Sequence, residues 1–373
     1  MATVESAFTV PQGDFQLTRP GASPGSPLRA WDAADEYLLN HIPESGPRTL
    51  IVNDGFGALA VALAQRDTTS VSDSLQALRA AATNLSVNGR TANLISSVEP
   101  IDGPFDLAVI KIPRTRSLLE HQLHTIRASS HPETVVIGAG MVKHIHTSTL
   151  SLFEQIIGLT TTSLAKKKAR LIHADLADGT DPGSSPWPKT VSWDRGLTVV
   201  VHAGVFGGTK LDLGTRVLLD NLPELEPKEG RTLDVVDLGC GNGIVGTVLA
   251  NNPSVRVTFV DESYLAVSSA DATFRHNHPT QSAETLVDDC GESLPDASFD
   301  VVLNNPPFHR NNELTDATAW KMFNQSQRIL RTGGELRVVG NRHLGYHAKL
   351  RRIFGNCAVV GATPKFVVLS ARA

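Results

Sequence analysis

The sequence predicts an α/β protein made of two tandem Rossmann-like units, the first of them degenerate. Three observations predict it. A buried strand, Leu233-Asp234-Val235-Val236, runs into a glycine-rich turn from Asp237 to Gly246 that opens a helix. A second apolar run, Val301-Val302-Leu303, stops at Asn304-Asn305-Pro306-Pro307-Phe308-His309. The first half of the chain then repeats these features in the same order as the second, as a duplicated unit would.

In chain order, the stretch from Pro20 to Pro27 is too rich in Pro, Gly and Ser to predict regular structure. Arg48-Thr49-Leu50-Ile51-Val52 leads into Asn53-Asp54-Gly55-Phe56-Gly57 and parallels Arg231 to Gly241. Val71-Ser72-Asp73-Ser74 parallels Val260-Asp261-Glu262-Ser263, and Phe105 to Pro113 parallels Phe299 to Pro307. The copies differ chemically. Asn53 is read as standing for the acid before the glycines, and the turn keeps two glycines instead of three. Lys111 stands for Asn305 and Arg114 for Phe308. A lysine offers donors only, so the first copy is expected to be inactive.

The polar, breaker-rich stretch from Asp175 to Pro188 reads as a linker, giving domains over 1–180 and 190–373. After it, alternating Thr198-Val199-Val200-Val201-His202 and a turn around Gly204 to Gly208 predict a short hairpin that begins the second domain.

The second unit carries the chemistry. Gly239, Gly241 and Gly243 let backbone pass close to a ligand above a helix N-terminus. The strand Val255 to Val260 ends at Asp261, placed to hold ribose hydroxyls. A dinucleotide is the obvious rival ligand, yet Asp237 would repel a pyrophosphate and favour an ammonium or sulfonium group. S-adenosylmethionine fits better. Asp289, after Leu286-Val287, is a candidate acceptor for the adenine amine, in competition with Asp288, and Cys290 is a candidate pocket wall. At the double-proline stop neither proline has an N–H for the ladder, so Asn305 and Phe308 project beyond the sheet. The Asn305 oxygen and the Pro306 carbonyl can accept both hydrogens of an exocyclic amine while Phe308 stacks on the ring. His309 reads as a loop or phosphate contact sooner than as a general base.

The stretches Val205-Phe206, Leu211-Asp212-Leu213-Gly214-Thr215, Asp237 to Gly246, Asp261-Glu262-Ser263 and Asn305-Pro306-Pro307-Phe308-His309 resemble those of class I methyltransferases of the ribosomal-RNA guanine-N2 family. The tail, Asn341 to Leu344 and Lys349 to Cys357, resembles the branch acting on 23S rRNA. The resemblance implies methylation of a guanine N2 amine, with Asn305, Pro306 and Phe308 as catalytic residues, Asp237, Gly239, Gly241, Gly243, Asp261 and Asp289 around the cofactor, and a degenerate first domain that helps recognise RNA. Enzymes methylating adenine N6 or a glutamine amide share Asn-Pro-Pro with an aromatic, frequently Tyr where this chain has Phe308. A 16S rRNA guanine-N2 enzyme would share the duplication. A non-catalytic RNA-binding assembly factor is a rival of a different class, one that intact Asn305, Asp261 and Asp237 disfavour.

Composition agrees. At 373 residues the chain exceeds one core, and three scattered cysteines give no disulfide framework or metal spacing. No stretch suits a bilayer or a signal peptide, so the expected location is the cytoplasm, with no membrane or metal partner. A monomer is compatible with this composition. The net charge of -4 confines any RNA surface to local clusters: Lys166-Lys167-Lys168 with Arg170, or the set Arg337, Arg342, Lys349, Arg351 and Arg352.

Overall fold

The computed structural model describes residues 5–21, 28–44, 46–176, 182–193, 196–225, 230–307 and 313–373. It divides into two units, Met1–Trp187 and Pro188–Ala373.

The first unit opens with a hairpin, β1 (Glu5–Val10) and β2 (Gly13–Thr18), followed by α1 (Ala33–Leu39). Its sheet is built from β3 (Arg48–Val52), β4 (Asp67–Ser72), β5 (Asn93–Ser96), β6 (Phe105–Lys111), β7 (Ser130–Met141), β8 (Thr160–Thr162) and β9 (Ala169–Ala174). Helices α2 (Ala58–Leu63), α3 (Leu75–Val87), α4 (Arg116–Ala128) and α5 (Thr147–Ile156) connect them. The spatial order is β5-β4-β3-β6-β7-β9-β8, parallel except for β9.

The second unit repeats this plan. Its hairpin is β10 (Lys189–Trp193) and β11 (Leu197–Val201), then α6 (Leu213–Leu219). The sheet contains β12 (Leu233–Leu238), β13 (Val255–Asp261), β14 (Glu284–Val287), β15 (Phe299–Asn304), β16 (Leu330–Asn341), β17 (Ala358–Ala362) and β18 (Phe366–Arg372), in the order β14-β13-β12-β15-β16-β18-β17. The helices are α7 (Ile244–Leu249), α8 (Tyr264–Asn277), α9 (Glu313–Ile329) and α10 (Tyr346–Phe354). In both units the strand order reverses at the central pair, β3 with β6 and β12 with β15, the point where such sheets bind ligands at their strand C-termini.

Local chemistry explains the elements. Interior strands such as β15, buried from Val301 to Asn304, read as unbroken apolar runs because helices cover both faces. Each hairpin is tied to its helix by side chains that finish an otherwise unpaired strand edge. The Thr18 N–H donates to Asn84 Oδ1 and the Gln16 N–H to Asn88 Oδ1 in the first unit. The N–H groups of Thr198, Val200 and His202 donate to Asn277, Thr273 and Ser269 in the second. Ser74 and Ser263 cap α3 and α8 alike.

The duplication is borne out strand by strand, with three corrections. The predicted hairpin lies between β10 and β11, while Gly204 to Gly208 forms turns beyond it. The end of the predicted linker is docked, not free: Trp187 Nε1 donates to Glu120 of α4, and Ser185 hydrogen-bonds His121; residues 177–181 lie outside the described residues. Third, ladder register pairs Val52 with Ile110 and Leu238 with Asn304. Since Phe105 to Pro113 matches Phe299 to Pro307, Ile51 stands where Asp237 stands, and Asn53 answers to Gly239. Their backbones agree, at φ 67° and 72°, a left-handed conformation that asparagine tolerates and most residues do not. Glycine spacing suggests an alignment displaced from this one.

Candidate active site

The crevice between β12 and β15 is an open cleft lined by Trp193, Phe206, Asp212, Thr215, Asp237 and Asn305 together with the backbone of the 239–242 turn. Asp237 is 4% exposed, and the Gly246 N–H donates to its Oδ2 at 2.8 Å. Burial, with Asp261 nearby, pushes its pKa up to about 7 against the pull of that hydrogen bond. Asp261 accepts from the Gly241 N–H at 3.0 Å and the Ser263 N–H at 3.1 Å, and burial raises it despite these bonds. Cys240 lines the same turn, and burial beside both carboxylates keeps it a thiol. Two shielded acids beneath an apolar turn make a place for a cation.

Gly243 caps α7 at φ 73°, and a Cβ there would lie 2.6 Å from the Cα of Ala270 in α8. Its role is to let helix and turn pack closely. Gly241 differs, because a Cβ there would meet only the Phe206 carbonyl oxygen, at 3.8 Å. That open side lets a ligand approach the backbone.

Asn304 and Asn305 end β15 with different tasks. Asn304 is fully buried and donates through Nδ2 to the Leu238 carbonyl at 2.7 Å, bracing the two strand ends. Asn305 donates through Nδ2 to Thr215 Oγ1 at 3.0 Å, and its Oδ1 is shielded with no partner. Asn304 Oδ1 is partnerless too, but of the two only Asn305 lines the cleft, so its oxygen is open to a hydrogen-bond donor of a ligand. Pro306 is buried beside it; Phe308 and His309 lie outside the described residues.

The structure thus brings Asp237, Gly239, Gly241 and Asn305 to one cleft, with Asp261 and Gly243 supporting its turn. Asp289 is not among the lining residues. It follows β14, where Lys321 Nζ donates to Oδ2 at 2.6 Å and Oδ1 is buried without a partner. The rival Asp288 is 2% exposed and accepts from the Ser293 N–H, so it holds a turn. Trp193 and Thr215 have no role that sequence alone suggests. The start of α6 at Asp212, which accepts from the N–H groups of Gly214 and Thr215, is legible as an N-cap signature.

The first unit fills the matching place with its own charges. Lys111 Nζ lies 2.6 Å from Asp35 and 2.7 Å from Asp32, the N-cap of α1. Burial alone would lower the Lys111 pKa, but the two carboxylates outweigh it and hold it above the usual lysine value. Ser72 occupies the position of Asp261, so both that carboxylate and the amide are missing there. Among the basic clusters, Arg337 is removed from the RNA candidates because it is spent on Glu335 and the Asn221 carbonyl. Lys167 pairs with Glu36, and Arg352 lies over Trp320. No helix among the described residues is long and apolar enough to cross a membrane, and no cluster there has metal-ligand character.

The chain matches the model of the RLMG N-terminal domain over residues 5–178 and that of the methyltransferase small domain over 196–370. It is 48% identical to the ribosomal RNA large subunit methyltransferase G of Streptomyces avermitilis, covering 98% of each chain. To the protein of that name from Klebsiella pneumoniae it is 45% identical over 92% of each. Among solved structures it superposes on the T. thermophilus 16S rRNA N2 methyltransferase in complex with AdoMet and guanosine, with TM-score 0.79, 24% identity, and coverage of 99% of this chain and 98% of that one. This last likeness concerns the fold.

Proposed function

The chain belongs to the ribosomal RNA large subunit methyltransferase G family, and on that footing we propose that its second unit methylates the exocyclic N2 amine of a guanine in 23S rRNA. S-adenosylmethionine is the methyl donor, and the cytoplasm is the expected location. The observation that carries the reading is the partnerless Asn305 oxygen at the end of β15, beside a turn underlain by two acids.

Guanine N2 is a weak nucleophile because its lone pair is drawn into the ring. Bound in the cleft, S-adenosylmethionine supplies a methyl group already activated by its sulfonium, so the protein has mainly to orient the amine. Asn305 Oδ1 accepts one amine hydrogen and the Pro306 carbonyl the other, turning the lone pair out of conjugation. As the nitrogen–methyl bond forms and the sulfonium–methyl bond breaks, positive charge on nitrogen would strengthen both hydrogen bonds, and the surplus amine proton would then leave to water or a backbone acceptor. Ionised Asp237 faces the cationic end of the donor. Asp261, whose carboxylate retains acceptor capacity beyond its backbone bonds, holds the ribose. Gly239, Gly241 and Gly243 shape the turn, Phe308 stacks on the base, and Asp289 offers its orphaned oxygen to the adenine amine. The domain over 1–180, lacking these groups, serves RNA recognition, with Lys166 and Lys168 as contacts.

Asn305→Ala tests this reading. Single-turnover methylation of 23S rRNA from cells lacking the gene should fall by about 100-fold or more while cofactor affinity is kept. A near-parental rate would remove the amine-orienting role.

A further inference from the structure

We infer that Thr215 is a positioning residue that anchors the donor end of the Asn305 carboxamide and so keeps its oxygen toward the acceptor amine, a proposal that rests on the amine-orienting reading of Asn305. A carboxamide has an acceptor end and a donor end of nearly equal shape. If the donor end faced the exocyclic amine, two sets of N–H groups would oppose each other and neither amine hydrogen would be bound. Something must hold the amide the right way round before substrate arrives. Thr215 Oγ1, 3.0 Å from Asn305 Nδ2, takes the donor end and leaves Oδ1 without a partner.

Thr215 is itself held. It is 7% exposed in the first turn of α6, where its N–H donates to Asp212 Oδ2 at 3.1 Å. The hydroxyl is therefore presented from a capped helix.

The first unit gives independent support for the polarity of this contact. Asp32 caps α1 as Asp212 caps α6, and Asp35 follows it by the same interval as Thr215 follows Asp212. Across from it, Lys111 occupies the register position of Asn305. A carboxylate can only accept and an ammonium can only donate, so the helix side is the acceptor and the strand end the donor. In the second unit Thr215 keeps the acceptor part of that arrangement, and the amide adds what lysine lacks: a second, opposite end turned to the ligand.

The test compares Thr215→Val, which keeps the shape and removes the oxygen, with Thr215→Ser, which restores it, beside Asn305→Ala. Single-turnover methylation of 23S rRNA from cells lacking the gene is measured at saturating S-adenosylmethionine, with cofactor affinity and melting temperature alongside. Thr215→Val should lower the rate constant at saturating RNA about 10-fold or more, with cofactor affinity within about twofold of the parent, and Thr215→Ser should recover most of the rate. Thr215→Val at the parental rate while Asn305→Ala is inactive would overturn the role of Thr215 and leave that of Asn305 standing. Parental rates in both would remove the Asn305 reading itself. A loss that the serine does not restore, accompanied by weakened cofactor binding or melting, would make Thr215 a structural residue and overturn the proposal.

Discussion

Replacing Asp237 by Asn should stabilise the ligand-free protein while disabling it, and the gain should grow with pH. The Asn oxygen can still accept from the Gly246 N–H, so the turn keeps its brace. What disappears is the cost of ionising a carboxyl that is 4% exposed and sits near Asp261. In the native chain this carboxyl titrates at about 7, in the unfolded chain near 3.8. Between those values the native state holds a proton that the unfolded state has released, so the contribution of Asp237 to stability falls as pH rises from about 4 through 7 and is flat above. Some three powers of ten in acidity, at about 1.4 kcal/mol each, give roughly 4 kcal/mol in total. About half of it, near 2 kcal/mol, falls between pH 5.5 and 8.5. Urea unfolding of the intact chain and of Asp237→Asn at those two pH values, without cofactor, isolates the effect, because all other titrating groups are common to both. A stability difference that stays constant or shrinks as pH rises would refute the reasoning. The same carboxylate must be ionised to meet a cation, so S-adenosylmethionine affinity should weaken as pH falls through about 7, and Asp237→Asn should lose that dependence together with most of the affinity.

Two further outcomes follow from the packing and from the buried charges. Gly243→Ala combines a left-handed φ with a Cβ driven against the backbone of α8, and should cost roughly 3–5 kcal/mol, read as a lost or lowered unfolding transition. Lys111→Met strands Asp32 and Asp35, and should destabilise the chain by about 3 kcal/mol at pH 8. Asp35, already raised to about 6 by burial, then neutralises readily, so the loss should be smaller at pH 6. Methyl transfer per bound RNA complex should be unchanged, which single-turnover kinetics at saturating RNA would check.

The plan of the fold was legible because it is written twice in patterns that survive without ligand: apolar runs for interior strands, parallel strand-end stretches at Val71 to Ser74 and Val260 to Ser263, and a proline where a ladder must stop. The fine alignment of the copies was not. Glycine counting matches Asn53 with Asp237, whereas hydrogen-bond register places Asn53 on Gly239, since asparagine enters left-handed backbone and can stand in for a glycine. Buried Asp54 then accepts from the Gly57 and Ala60 N–H groups, giving the first copy a carboxylate brace from a different position. Of the site, Asn305, Asp237 and Asp261 were legible because strand-end amides and acids are rare without a purpose. Thr215 was not, because its part depends on a contact 90 residues away in sequence. Nor could the hairpins be anchored from sequence, since the anchors are side chains of α3 and α8 whose partners appear only once the sheet has formed.

The Lys111 triad makes the two halves unequal in what they need from their surroundings. One copy carries its counter-charges within itself and is complete once folded. The other keeps two neighbouring buried acids and an unmatched acceptor, so, on the proposed function, its resistance to unfolding should track the supply of methyl donor. When that supply runs short, the catalytic half is the part expected to loosen first and meet proteases, while its sibling persists as a folded remnant.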